Sequence, residues 1–219
     1  MKIVRFIKMS NKDKIRKLKT LFFNLFIYKG YQKKIRAKIN NENFTIISNN
    51  CFAGSIYQDL GVEYRSPTVG LFFYSDCYMK FVDNMKYYLN LELIFTSKSK
   101  YHNNKLSYPV GILDDIEIHF LHYATEKEAK EKWDRRKSRI NFNNIFYIFS
   151  DRDGFNDKNF EDFLRFNGNK ILFSANEKYK SENTVILKEF IGESQIGEIT
   201  LNKWMYIYEF DICDFLNRE

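Results

Sequence analysis

Short apolar runs alternate with helical stretches along most of the chain. Runs of β-branched and aromatic residues, bounded by polar or glycine positions, predict strands. They lie at residues 44–48, 69–74, 91–95, 109–113, 116–123, 144–150, 170–175, 184–190 and 198–210. This order of elements is typical of an α/β fold whose mixed β-sheet is parallel at its centre and antiparallel towards the end of the chain.

Helices are predicted between these strands from apolar stripes and capping residues. Gly61 can close the first of them as a left-handed C-terminal cap. Thr125, followed three residues later by Glu128, has the form of a capping box. The predicted helices cover residues 51–60, 75–89, 125–140, 159–166 and a short segment at the C-terminus.

The N-terminal segment differs from the rest in charge. Residues 1–40 hold thirteen basic residues and one acid, a local charge of +12. Because the net charge of the whole chain is +7, the remaining 179 residues carry −5. An apolar cluster at 21–28 lies between the basic runs. We predict a basic amphipathic helical segment over 1–40 and a single α/β domain of catalytic type over 41–219. This segment could pack on the domain or make peripheral contact with an anionic membrane. Nucleic-acid binding is less favoured, because the rest of the chain is acidic.

Composition also indicates where the protein works. No run approaches the 18 or more apolar residues of a spanning helix, and the first apolar stretch is too short for a secretory signal. Cys51, Cys77 and Cys213 contain no C-x-x-C pair, which is typical of a reducing compartment and gives no support to a zinc site. We therefore expect a cytoplasmic protein, with contact at the inner face of the membrane left open.

Cys51 is the first candidate for chemistry, because a predicted strand ends just before it and a predicted helix begins there. Helix amides and the helix dipole stabilise a thiolate at such a position, and a thiolate is a strong nucleophile. Asn49, together with the backbone N–H of Cys51, could stabilise an oxyanion on an attacked acyl group. A buried, inert cysteine is the alternative for the same residue.

Three histidines limit where an imidazole base could lie. Alternation within residues 116–123 places His122 at the strand end on its apolar face, either as a core residue or as a base in a dry pocket. His119 is expected beside Glu117 on the other face, either at the surface or as a pair that supports the residues of a site without contacting the ligand. His102 is expected in a solvated loop.

Asp151 and Asp153 follow a predicted strand as a D-x-D pair, and three interpretations remain open. One aspartate could orient His122 in a Cys-His-Asp relay. Both could hold Mg²⁺ or Mn²⁺ against a nucleotide diphosphate, or the pair could be a simple Asp-rich turn. The basic residues of the 125–140 helix could likewise form a solvated face or contact phosphates; they are Lys130, Lys132, Arg135, Arg136 and Arg139.

Four stretches, in order along the chain, resemble a bacterial protein family found in capsule, exopolysaccharide and lipopolysaccharide gene clusters and often labelled "exopolysaccharide biosynthesis protein". They are FTIISNNCFAGSIYQDLGVEYRSPTVGLFFY, DDIEIHFLHY, EAKEKWDRRKSRIN and FSDRDG. The resemblance covers about residues 30–216 and implies a role in surface polysaccharide assembly without indicating a reaction.

A looser likeness concerns the chemistry. S-x-x-C followed by a helix and LG…Y-R-S-P, with a later histidine before an RR…RI helix, is similar to the arrangement in papain-like cysteine peptidase and acyltransferase families. It implies Cys51 as nucleophile and His122 as its base, with Asp151 or Asp153 orienting the histidine. The sequence therefore predicts an acyltransferase that takes acyl groups, with acyl-CoA as a candidate donor, and passes them to a sugar or polysaccharide precursor.

Two alternatives remain open from the sequence. One is a metal-dependent glycosyl- or phospho-sugar transferase that uses Asp151 and Asp153 with a nucleotide sugar. The other is a non-enzymatic scaffold of the polysaccharide machinery, docked through residues 1–40 and its aromatic side chains.

Overall fold

A four-stranded parallel sheet lies at the centre of the protein. The computed structural model describes residues 11–218. Strands β1 (Thr45–Ser48), β5 (Ile145–Ser150), β6 (Asn169–Ser174) and β7 (Thr184–Ile186) lie side by side in the order β1-β5-β6-β7, all parallel. Strands β2 (Ile94–Thr96), β3 (Val110–Leu113) and β4 (Ile116–His119) form a separate antiparallel sheet. The predicted α/β fold with parallel and antiparallel strands is confirmed. These strands form two sheets rather than one mixed sheet, and the antiparallel strands come from the middle of the chain rather than from its end.

Helices flank both sheets. They are α1 (Asn11–Phe22), α2 (Tyr28–Lys38), α3 (Phe52–Leu60), α4 (Ser75–Asp83), α5 (Met85–Asn90), α6 (Glu126–Lys137), α7 (Asp157–Arg165) and α8 (Ile212–Leu216). A π-helical turn at Phe23–Ile27 joins α1 to α2, and short 3-10 turns lie at Glu177–Tyr179, Lys188–Phe190 and Lys203–Met205. Gly61 closes α3 in the left-handed conformation, and Thr125 accepts a hydrogen bond from the Glu128 amide, both as predicted.

Alternating residues of the parallel strands divide the core in two, because successive side chains of a strand point to opposite faces. Ile46 and Ile148 pack on one face against α3, α8 and the C-terminal segment. Ile47 and Leu172 pack on the other face in a cluster that also takes in α4, α7 and the antiparallel sheet. Strands β1, β5 and β6 are therefore largely buried on both sides, as continuous apolar runs predict, whereas the edge strand β7 is half-buried.

The predicted strand at 69–74 is wrong. This segment instead forms the seam between the two sheets, and its polar groups bond to different partners. Thr68 accepts a hydrogen bond from the Ser48 amide through Oγ1 (3.1 Å), and the Phe73 amide donates to Asn49 O (2.9 Å). Phe72 exchanges two backbone bonds of 2.9 Å with His119 as an isolated bridge. Gly70, with φ of +81°, turns the chain where a regular strand would continue straight.

The predicted strand at 198–210 is also wrong, and the one at 184–190 is too long. Residues 184–186 pair with β6, after which the chain turns. Around the 3-10 turn at Lys203–Met205, aromatic and aliphatic side chains such as Tyr206 cover α3. Lys203 forms a buried ion pair with Asp59 of α3 at 2.5 Å. The apolar run reflects burial of this segment against a helix. Sequence alone does not distinguish such a run from a buried strand.

The N-terminal helix α1 is attached through its polar side. Arg16 donates to Glu189 (3.1 Å) and Glu193 (2.8 Å), and Thr20 joins Asn202 and Trp204. No residue of α1 is buried. Large apolar side chains of α1 and the π-helical turn are 53–72% exposed instead; they are Ile15, Leu18, Leu21, Phe22, Leu25 and Phe26. Residues 1–10 of the predicted basic segment lie outside the described residues, and no helix within 11–218 is long and apolar enough to cross a membrane.

We expect Gly70→Ala to destabilise the protein by about 2–4 kcal/mol, because it combines a left-handed backbone with a steric clash. A Cβ at this position would lie 3.1 Å from the Tyr123 ring. Gly192 is the matched control, since its φ is +84° and a Cβ there meets nothing within 4 Å. Urea unfolding of both variants measures the difference. Equal losses for Gly70→Ala and Gly192→Ala would show that the contact with Tyr123 does not constrain the fold.

Candidate functional site

A cavity of about 810 Å³ lies beyond the carboxyl end of β1, where α3 begins. Its walls come from the start of α3, the seam, the β4–α6 connection, α6 and the C-terminal segment. The residues that matter for chemistry are Cys51, Ser55, His122, Lys132, Arg136 and Lys203. Cys51 and His122, which the sequence proposes as a pair, therefore line the same cavity.

Three consecutive carbonyls of the seam hold this wall in place. Val69 O accepts hydrogen bonds from Arg136 Nη1 (2.8 Å) and from the Tyr123 hydroxyl (2.5 Å). Gly70 O accepts from the His122 amide (3.1 Å), and Leu71 O is 3.9 Å from the Cys51 thiol. Because the three carbonyls belong to adjacent residues, the positions of all these groups are fixed relative to one another.

Cys51 occupies the N-cap position of α3 and is half-buried. Burial raises the pKa of its thiol to about 11, because a thiolate loses hydration there; Glu198 adds to this shift and Arg152 opposes it. The shift is opposite to the one that the helix N-terminus predicts. At neutral pH Cys51 is therefore a neutral thiol.

His122 lies three residues beyond the end of β4, and its side chain is exposed at the cavity. It is neither a core residue nor enclosed in a dry pocket. Within residues 11–218 its imidazole makes no hydrogen bond to Cys51, Asp151 or Asp153. The structure thus brings the thiol and imidazole to one cavity without joining them in a relay.

Asp151 is used to hold the fold together. Its Oδ2 accepts from Ser174 Oγ (2.8 Å) and the Ala175 amide (2.7 Å), and its Oδ1 accepts from the Ile196 amide (2.8 Å). Burial raises its pKa despite these bonds. Both oxygens are occupied, so they orient a strand end and a loop rather than His122.

Asp153 does not complete a metal pair with Asp151. It is half-buried in a left-handed turn with φ of +55°, and its carbonyl accepts from the Ser75 amide. Burial raises the pKa of its carboxyl, and Arg152 opposes this. Across residues 11–218 no group of three or more His, Cys, Asp or Glu side chains is arranged to hold a metal ion.

Asn49 is buried, and its amide is committed to β5. Its Nδ2 donates to Ser150 O (3.2 Å), while its Oδ1 accepts from Ser150 Oγ (3.1 Å). The Asn50 side chain accepts a hydrogen bond from the Phe52 amide (3.0 Å). These contacts fix the strand end that precedes Cys51, so the Asn49 side chain would have to leave Ser150 to reach an oxyanion.

The structure settles the surroundings of two residues that the sequence left open or misplaced. Arg136 is buried beside the cavity rather than on a solvated helix face. His119 is fully buried and stacks on Phe72 at 4.6 Å, whereas the sequence placed it at the surface or behind a site. Burial lowers the pKa of His119 to about 4, so its ring is neutral at pH 7, 3.4 Å from Glu117. The apolar residues that alternate with it indicated a buried strand, but not that both faces of β4 are covered.

Comparisons with known proteins place the chain in a family. A family model described as "Domain of unknown function (DUF1919)" matches residues 22–217. An uncharacterised protein of Haemophilus influenzae is 34% identical over 191 residues, which is 84% of this chain and 89% of that relative. The matched region contains both sheets and every residue of the cavity named above. The chain therefore belongs to the DUF1919 family of domains of unknown function.

Proposed function

We propose that the protein is an acyltransferase in which Cys51 carries the acyl group and His122 moves the proton. The observation that carries this proposal is the common cavity: a half-buried thiol at the start of α3 and an exposed imidazole after β4 face the same space. Of the three cysteines, Cys77 and Cys213 are buried, so Cys51 is the accessible one.

Because the Cys51 thiol is neutral, its proton must be removed as the sulfur attacks. His122 takes the Cys51 proton as sulfur attacks the carbonyl carbon of an acyl thioester such as acyl-CoA, and the leaving thiolate then receives that proton. In the second half, an acceptor hydroxyl attacks the Cys51 thioester while His122 takes the hydroxyl proton. The thiol is regenerated when its sulfur leaves and is reprotonated by His122. Base-assisted attack of this kind needs no resting thiolate.

The acceptor follows from the resemblance to proteins of exopolysaccharide clusters. We infer that it is a sugar hydroxyl or amine of a surface polysaccharide precursor. A metal-dependent sugar transferase has less support, because both oxygens of Asp151 are occupied by hydrogen bonds.

We also propose that α1 and the π-helical turn rest on an anionic membrane from the cytoplasmic side. Their polar face is held by Glu189 and Glu193, which leaves the apolar face outward. Lys14 and Lys17 are exposed and form no ion pair within 11–218, so they are free to meet anionic headgroups. Asn24 of the turn also lines the cavity, so the turn forms part of the cavity wall.

Alkylation of Cys51 should be slow at neutral pH and rise about tenfold per pH unit between about pH 7 and 10. With a pKa of about 11 in place of 9.0, the rate at pH 8 should be about a hundred times lower than for an unshifted thiol. Iodoacetamide labelling followed by peptide mass spectrometry measures the rate at each cysteine, with urea-unfolded protein as the reference. A plateau below pH 9 would show that Cys51 is a resting thiolate.

Incubation with acyl-CoA donors of different chain length should produce a hydroxylamine-labile adduct on Cys51, seen by intact mass. Cys51→Ala should abolish the adduct with little effect on thermal stability. His122→Gln should slow its formation by about 10²–10⁴-fold, because the proton acceptor is lost. His102→Gln is the matched control, since His102 instead bonds to Tyr74 away from the cavity. The proposal fails if wild type forms no adduct or if Cys51→Ala retains it.

Membrane contact predicts binding to phosphatidylglycerol vesicles that weakens with salt. The variant Leu18→Glu/Phe22→Glu/Leu25→Glu should bind at least about tenfold more weakly, since each side chain contributes about 1.5–3 kcal/mol when buried in lipid. Leu164→Glu is the control, because Leu164 is a 50% exposed apolar residue on α7. Vesicle co-sedimentation measures both. Unchanged binding of the triple variant, or loss of self-association instead, would reject the membrane surface.

A further inference from the structure

Arg136 is a buried cation without an acidic partner. Its side chain is 6% exposed, and it forms no salt bridge with any residue in 11–218. Placing a guanidinium in such surroundings without a counter-ion is unfavourable, because the lost hydration is not replaced by an ion pair. Two hydrogen bonds from Nη1 and the nearby Tyr64 ring, whose centroid is 5.0 Å from Cζ, offset part of that cost.

The remaining hydrogen-bonding capacity of Arg136 is unused. Nε is buried without a partner, and Nη2 makes no hydrogen bond within the described residues. Ser55, which lines the same cavity, is 8% exposed and its Oγ is also unpartnered. Buried polar atoms are almost always bonded in native proteins, so the unpartnered atoms Arg136 Nε and Ser55 Oγ, from two residues that line one cavity, make these residues candidates to bind a ligand.

The charges around the cavity select the sign of that partner. Lys203 is neutralised by Asp59, and Glu198 is paired with Arg152. Glu128 is half-buried and lines the cavity, and its carboxylate accepts from the Ala124 amide. Lys132 lies one helical turn from Arg136, lines the cavity and forms no ion pair within 11–218. Within 11–218 the cavity residues without an ion pair are therefore the two cations Lys132 and Arg136 and the one acid Glu128, so positive charge is in excess, and the N-terminus of α3 adds a positive dipole end.

We propose that Arg136, with Lys132 and Ser55, forms a binding site for a phosphate group of the ligand that enters this cavity. Phosphate fits better than carboxylate because it brings about two negative charges to two cations and has enough oxygens for the guanidinium, the ammonium and the hydroxyl. The inference does not depend on the chemistry of Cys51, since an anion site would exist with or without acyl transfer.

The first experiment uses the wild-type protein. Inorganic pyrophosphate should raise the melting temperature and slow alkylation of Cys51 at matched ionic strength, with half-saturation below about 1 mM, or about 4 kcal/mol of binding. Succinate at the same ionic strength should do neither. Absence of both effects with pyrophosphate, or a stronger effect of succinate, overturns the phosphate site.

The second experiment uses variants. Lys132→Gln should weaken pyrophosphate binding at least fivefold, and Arg136→Lys at least tenfold, because Lys cannot offer the planar donor fork. Lys130→Gln is the control and should bind normally, because Lys130 forms an ion pair with Asp134 on the same helix. Equal losses in Lys130→Gln and Lys132→Gln would indicate general charge attraction and overturn the site. Lys132→Gln keeps the test valid if Arg136→Lys does not fold.

Two sources of phosphate can then be separated. If the natural ligand is a soluble phosphate, farnesyl phosphate and inorganic phosphate should bind within a few-fold of each other. If the phosphate belongs to a lipid-linked molecule, farnesyl phosphate should bind at least tenfold more tightly, because its chain can reach the exposed apolar surface beside Asn24. Failure of the acyl-adduct experiment with retention of pyrophosphate binding would reject the proposed acyl transfer and leave the phosphate site standing.

Discussion

The cavity depends on three adjacent backbone carbonyls. Val69, Gly70 and Leu71 accept or lie within reach of donors from α6, the β4–α6 connection and the start of α3. The segment can do this because it is not a strand: its own groups bond to Asn49 on one sheet and to His119 on the other. Buried carbonyls must find donors, and here the donors are parts of the site. A shift of this segment would therefore move the thiol, the imidazole and the guanidinium together.

Burial and helix position act on Cys51 in opposite directions. The start of α3 favours a thiolate, but removal of water from the sulfur costs more, and the nearby carboxylate of Glu198 adds to the cost. Any nucleophilic role must then couple deprotonation to attack. Burial also affects Arg136, because a cation that has no counter-ion and little contact with water attracts an anion more strongly than a solvated one does. One environment thus keeps the thiol neutral and leaves the guanidinium without a counter-ion, and the proposed phosphate site rests on the latter.

The cavity and the exposed face of α1 lie next to each other. Asn24 belongs to both the π-helical turn and the cavity wall, and Leu201 lines the cavity while being 73% exposed. A ligand with a polar head and an apolar chain would fit this arrangement, with phosphate at Arg136 and the chain towards the surface. The proposed membrane contact, phosphate site and acyl transfer are separate hypotheses, yet this geometry makes them compatible.

The sequence by itself determined the parallel strands, α3 with its Gly61 cap, the capping residue of α6 and the candidates Cys51 and His122, because periodicity and capping act over a few residues. It failed at 69–74 and 198–210, where apolar runs are buried by distant elements rather than by strand pairing. Only the tertiary structure decided that the side chains of Asp151 and Asn49 are used in hydrogen bonds near the strand ends. The same holds for the exposure of the apolar face of α1. The tertiary structure also decided that Arg136 is left without a counter-charge. Hydrogen-bond partners and burial come from residues far apart in the chain, and local pattern does not contain them.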